Sequence, residues 1–180
     1  MSIVEILCAG ILSLGIGGTA ERGEFACTHV PQIVELSEEM GFRPELMISL
    51  IHYESRWKPH VVSRANACGL TQVLPRYTGG PAYPQGAGNP RLTCDQLKDP
   101  RTSIDAGSRA LRYWLHQYGR GNERIGLCGY NAGFRCRPRQ NSEGQRILPR
   151  AGQQGMRYSR NVTRLANRLR SYVQAAQAQN

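Results

Sequence analysis

No two of the six cysteines are spaced as C-x-x-C, so the chain lacks the pairing that a zinc site usually starts from. Internal repeats are absent, and so is sustained alternation of apolar and polar residues. The second absence argues against a sheet-based fold and leaves a mainly α class. Neither a zinc-finger spacing nor an RNA-binding aromatic signature accompanies the arginines, so no specific nucleic-acid partner is expected. Acidic residues are scarce in two places. None occurs between Ser55 and Cys94, and Glu143 is the only one from Arg135 to Arg170.

What is present suits one globular domain. The 180 residues are enough to bury a core, and the apolar and charged fractions are ordinary. The net charge of +10 suits a polyanionic partner, whether nucleic acid, a membrane surface or an acidic wall polymer. The plainer reading of the arginine-rich second half is a solvated basic face.

The N-terminus is apolar from Ile6 to Gly18 (ILCAGILSLGIGG), short for a membrane span. Gly18-Thr19-Ala20 offers the small residues of a signal-peptidase site. Against that, no Lys or Arg precedes the run and Glu5 adjoins it. Residues 1–20 are read first as an export signal, second as a short membrane anchor, third as a buried helix. The remaining cysteines, Cys27, Cys68, Cys94, Cys128 and Cys136, fit a disulfide-permissive compartment such as a periplasm. With Cys8 set apart in the leader their number is odd, which leaves one thiol free or paired with another chain.

Helical spacing and breakers predict helices over Pro31–Met40, Pro44–Ser55, Thr102–Tyr118, Glu123–Tyr130 and Tyr158–Ala176. Val61–Pro75 reads as loop with a helical turn. Tyr77–Pro90 is rich in Gly and Pro and reads as a lid or a surface insertion. Phe134–Gly155 is polar, basic and turn-rich.

The stretch PELMISLIHYESRW ends one of these helices with a carboxylate in an unexpected place. Leu46, Leu50 and Glu54 are four apart and share a face with Met47. A carboxyl on an apolar face is desolvated and can stay protonated near neutral pH. A protonated acid in a cleft is what glycosidic cleavage requires, because the leaving oxygen must be protonated. The competing reading is a buried glutamate bonded to backbone or to Arg56.

Three further motifs follow in order: SRANACGLTQVLP (Ser63 to Pro75), DPRTSIDAGSRALRYWL (Asp99 to Leu115) and GYNAG (Gly129 to Gly133). Together with Glu54-Ser55 the chain resembles the soluble lytic transglycosylases with their goose-type-lysozyme-like domain. The matching positions are Glu54 and Ser55; Ser63, Ala67, Gly69, Leu70, Gln72 and Pro75; Ile104, Gly107 and Leu111; and Tyr130 to Gly133. The run from Tyr158 to Val162 is similar to the family's closing helix. The likeness covers roughly Cys27 to Arg170. Asn66 stands where the family usually has Gly, Thr71 where it has Met, Ser103 where it has Asn, and Phe134 where Pro often follows the Asn-Ala-Gly.

The resemblance implies a single lysozyme-like helical domain over 27–176 that acts on peptidoglycan glycan strands without metal or cofactor. Glu54 would be the catalytic acid, then the base that takes the proton from the sugar's own 6-hydroxyl as a 1,6-anhydro ring closes. Such chemistry needs one carboxylate where ordinary glycosidases use two, in keeping with the acid-free run after Glu54. Ser55, Gly69, Gln72, Tyr130 and Asn131 would line the substrate, with Gln72 offering its amide to a sugar and Tyr130 reaching for Glu54. Ser55 more simply holds backbone, and His52, His60 and Asp99 make no nucleophilic triad with it. Trp57 is read as core. The implied setting is the periplasm or outside the cell, near a trans-envelope secretion or conjugation complex, or on a phage particle. A muramidase of the same fold and a non-catalytic wall-binding module are the rival readings.

Overall fold

The computed structural model describes residues 1–79, 91–140, 142–144 and 146–179. Among the described residues seven α-helices carry the fold: α1 Ile3–Ser13, α2 Ala20–Met40, α3 Pro44–Ser55, α4 Cys94–Lys98, α5 Pro100–Arg112, α6 Glu123–Ala132 and α7 Arg150–Gln177. The strands described are two short ones, β1 Arg139–Gln140 and β2 Arg146–Ile147, paired antiparallel. The mainly α class is therefore observed.

α3 is buried nearly all round. Leu46, Met47, Ile48, Leu50 and Ile51 lie in a core shared with Leu7 and Ile11 of α1, Ile33 of α2, and Val162 and Leu169 of α7. Pro44 opens α3, where its missing N–H costs nothing. Arg43, just before it, grips Glu123 of α6 through both carboxylate oxygens, at 2.8 and 3.1 Å. This pair fixes the start of α3 against the start of α6. A second cluster (Cys68, Val73, Leu97, Ala106 and Ala110) joins the loop after α3 to α4 and α5.

Two helices start earlier than their sequence signals. α2 begins at Ala20 rather than Pro31, capped by the Thr19 hydroxyl, and runs through the proline. A proline inside a helix costs about 3 kcal/mol. Burial of Ala26, Val30 and Ile33 offsets it. α7 begins at Arg150 rather than Tyr158, through Gly152 and Gly155, residues that read as breakers. A Cβ at Gly155 would sit 2.8 Å from both the Cys128 sulfur and the Ala132 Cβ, so glycine is what lets α7 lie close on α6. In α5 the helix proper ends at Arg112 and widens into a π-turn, Tyr113–Tyr118.

The apolar stretch within residues 1–20 forms α1 and the turn behind it. Ile6, Leu7, Ile11 and Ile16 are buried, and Ser2 and Glu5 cap the helix reciprocally. Cys8 is bonded to Cys27, Cys68 to Cys94 and Cys128 to Cys136, so the odd thiol expected with the leader set apart does not occur. Of the Tyr77–Pro90 loop, residues 80–90 lie outside the described residues. Its neck is closed by the Thr78 hydroxyl, which accepts from the Leu92 N–H at 2.7 Å.

Candidate active site

Glu54 sits in the last turn of α3, where the helix stops abruptly. Arg56 and Trp57 both adopt left-handed backbone (φ 54° and 60°), an uncommon conformation for two successive non-glycine residues. The Trp57 side chain, 1 % exposed, anchors this exit in the core, so it is packing rather than a sugar platform. Burial pushes the Glu54 carboxyl up to about 7, and the nearby Tyr158 hydroxyl pulls it part of the way back. Among the described residues that hydroxyl makes no other hydrogen bond. Burial and the Glu54 carboxylate in turn hold Tyr158 well above the usual phenol range, and Tyr130 adds to the effect.

Tyr130, on α6, packs between the two apolar clusters and donates its hydroxyl to the Thr71 carbonyl at 2.8 Å. A tyrosine that acts on the Glu54 carboxyl is thus Tyr158 of α7, while Tyr130 of α6 holds the loop at Thr71. Nothing in residue spacing relates positions 54 and 158. The one available signal was that Tyr158 opens the closing-helix pattern.

The loop from Ser63 to Pro75 is bound tightly to its surroundings. Gly69 has φ 77°, and a Cβ there would overlap the Leu97 carbonyl, so its glycine is a packing requirement. Asn66, where a glycine was the expectation, also has positive φ (62°), a conformation asparagine tolerates. Gln72 is strained likewise (φ 52°), and its carboxamide nitrogen donates to the carbonyls of Val61 at 3.0 Å and Gly69 at 2.9 Å. Both donors are spent on the loop, which leaves the carboxamide oxygen as the group free to accept. Thr71 and Ser103, two departures from the resembled pattern, are partners. The Thr71 hydroxyl donates to the Ser103 carbonyl at 2.7 Å, and the Ser103 hydroxyl accepts from the Thr71 N–H at 3.2 Å.

Ser55, 5 % exposed, donates to the Ile51 carbonyl at 3.3 Å and so caps its own helix backbone. Asn131 is exposed on the last turn of α6. Behind the acid, the His52 Nδ1 accepts from the Gly17 N–H at 2.9 Å, which ties the turn after α1 to α3. Burial, with Arg56 and Arg22 near, pushes His52 down to about 4, so the ring is neutral. Two surface hollows, one bounded by Gly41, Phe42 and His116, the other by Arg124, Arg160 and Arg164, are not lined by Glu54. Among the described residues no group of His, Cys, Asp and Glu is arranged to hold a metal.

A partly exposed carboxyl that desolvation holds near 7, next to the Tyr158 hydroxyl, is an arrangement for proton donation. Comparisons with known proteins point the same way. Residues 32–147 match the family described as the transglycosylase SLT domain. Over 90 residues the chain is 31% identical to membrane-bound lytic murein transglycosylase C of Glaesserella parasuis, and 30% identical to that of Haemophilus influenzae. Each match covers 50% of this chain and 25% of the relative, so the chain aligns with about a quarter of the length of these relatives. Two solved structures share the fold. The 70-kDa soluble lytic transglycosylase of Escherichia coli superposes with a TM-score of 0.61 at 24% identity, over 78% of this chain and 24% of that one. An inactive variant of the lytic transglycosylase Slt of Pseudomonas aeruginosa gives 0.63 at 22%, over 83% and 24%.

Proposed function

The chain belongs to the transglycosylase SLT family, and we propose that it is a peptidoglycan lytic transglycosylase. On this reading it cleaves the β-1,4 bond between N-acetylmuramic acid and N-acetylglucosamine and leaves a 1,6-anhydro end. The observation that carries the proposal is the Glu54 carboxyl. It is held near 7 by burial, and the run from Ser55 to Cys94 supplies no second carboxylate. A hydrolase would need that second group to activate water.

Protonated Glu54 gives its proton to the glycosidic oxygen, and the bond to the anomeric carbon breaks. The resulting carboxylate takes the proton of the 6-hydroxyl, whose oxygen bonds to the anomeric carbon. Glu54 ends as it began, and no water is consumed. Tyr158, which favours the charged carboxyl, steadies it in the second half. Tyr130 holds the Thr71 carbonyl, and with it the loop on which Gln72 presents its carboxamide oxygen to a sugar donor. Asn131 supplies an exposed amide at the edge of the cleft. Gly69 and Ser55 serve through the backbone they shape.

The wall as partner suits the basic charge, and the three disulfides suit an oxidising envelope compartment. The relatives named as membrane-bound support a cell-envelope location. Among the described residues no helix is long and apolar enough to cross a membrane. The task we assign is local opening of the wall, for a secretion or conjugation complex or for a phage, by the 27–176 domain with α1 packed on it.

The test is a digest of purified peptidoglycan by the wild type and by Glu54→Gln, products read by mass spectrometry. Anhydro-muramyl ends from the wild type, reduced about a thousandfold or more in the variant, are expected when the sole acid–base group is lost. Reducing ends instead would make the protein a muramidase. No products of either kind, with binding intact, would leave only a wall-binding module.

A further inference from the structure

Phe134 is the most exposed aromatic ring among the described residues, at 60 % exposure, and it is also one of the most firmly mounted. Its ring lies 5.1 Å from Trp114, tilted by 55°, and 5.5 Å from Tyr118, near edge-on at 77°. Tyr118 is itself braced by the Arg137 guanidinium, 5.0 Å from the ring centre. Two residues on, Cys136 is bonded to Cys128 of α6. Gly133, with φ 64° and ψ −148°, ends α6 in a conformation closed to other residues and turns the chain so that Phe134 begins the next turn. These contacts bury part of the ring and hold the remaining face, 60 % exposed, rigidly toward solvent.

The ring continues the candidate site. Trp114, its support, packs on the cluster that holds Cys68 and Val73, the floor of the Gln72 loop, and Tyr130 packs on the same cluster. Phe134 follows the exposed Asn131 by three residues. A flat, rigid aromatic face three residues from an exposed amide matches a pyranose ring, whose C–H face is apolar and whose rim carries hydroxyl and acetamido groups. A ring fixed before binding loses little entropy on binding.

We propose that Phe134 is a sugar-stacking platform at an outer subsite of the cleft, taking an N-acetylhexosamine ring of the glycan strand away from the scissile bond. The platform rests on the glycan-cleaving reading and sets strand length preference rather than chemistry. A lone exposed phenylalanine used for protein contact is the competing explanation, and the test separates the two.

Binding is measured by isothermal titration calorimetry on Glu54→Gln, with the disaccharide and with longer oligomers of N-acetylglucosamine. Adding Phe134→Ala is expected to weaken the long oligomers about tenfold and to leave the disaccharide unchanged. Phe134→Leu, which keeps apolar bulk without a flat face, should behave like Ala, and Phe134→Trp should restore binding. In the Glu54 enzyme, Phe134→Ala should raise KM for peptidoglycan about tenfold with kcat within about twofold. Long-oligomer affinity that is equal in the Ala, Leu and parent proteins would overturn the platform, as would a variant that changes only self-association. The two proposals fail separately. Anhydro products with no Phe134 effect leave the reaction standing, and weakened oligomer binding without products leaves the platform standing.

Discussion

At the scale of the residue, two side chains of one helix are driven in opposite directions by the same burial. Glu54 is pushed up from 4.5 to about 7, and His52 down from 6.5 to about 4. Both are therefore neutral in the folded protein across the interval between. Between pH 4.5 and 7 the unfolded Glu54 has lost its proton and the folded one keeps it, so its contribution to stability falls as pH rises. Between pH 6.5 and 4 the unfolded His52 gains a proton that the folded ring refuses, so its contribution falls as pH drops. Each amounts to at most about 3 kcal/mol. Over the shared window the two slopes oppose, and the wild type should show a nearly flat stability from pH 4.5 to 6.5. Glu54→Gln removes one slope and exposes the other. Urea unfolding of the variant should show stability rising through this window, with the gain over wild type largest above pH 7. Parallel profiles for the two proteins would refute the burial of the carboxyl. The same titration sets activity: kcat/KM should fall about tenfold per pH unit above 7, where the acid has lost its proton. Glu54 was legible because a four-residue repeat of apolar positions ended in a carboxylate. Tyr158 and His52 were not, because what matters about them is a contact between distant segments.

At the scale of the element, α3 was readable to its ends, since Pro44 and the apolar face mark it and no tertiary contact overrules them. α2 and α7 were not, because Pro31, Gly152 and Gly155 are breakers by local rule and are tolerated for packing on α1 and α6. The loop on α5 repeats the lesson. Thr71 and Ser103 read as separate departures from a family pattern, whereas in the fold each satisfies the other. Coupled substitution follows from this pairing. Thr71→Ala or Ser103→Ala alone strands a buried polar partner, at about 1–3 kcal/mol. Together they should cost less than the sum by up to about 1 kcal/mol, since the two hydroxyls also touch each other at 3.1 Å and that contact is lost in either single variant. Chemical denaturation of the three variants measures the cycle, and strict additivity would mean that the hydroxyl–hydroxyl contact contributes nothing beyond the two bonds to backbone. Because Tyr130 donates to the Thr71 carbonyl, the single variants should also lower activity more than their modest destabilisation accounts for.

At the scale of the whole molecule, the three disulfides each brace a different junction. Cys68–Cys94 ties the Gln72 loop to α4, Cys128–Cys136 steadies the turn of Phe134, and Cys8–Cys27 fastens α1 to α2. The last is the least expected, because an apolar N-terminal run by itself resembles a leader, and only the partner of Cys8 and the faces of α2 and α7 reveal a core helix. Its consequence reaches the acid. α1 leads through the Gly15–Gly18 turn to the Gly17 N–H, which holds His52 two residues from Glu54. Closing a loop of 19 residues removes about 3 kcal/mol of unfolded-state entropy. Replacing Cys8 and Cys27 together by Ser should therefore lower stability by about 3 kcal/mol. It should also raise amide exchange first in α1 and the glycine turn, and then at the end of α3. If instead exchange rises evenly over the molecule, α1 unfolds only with the whole core, and the N-terminal helix has no separate hold on the position of Glu54.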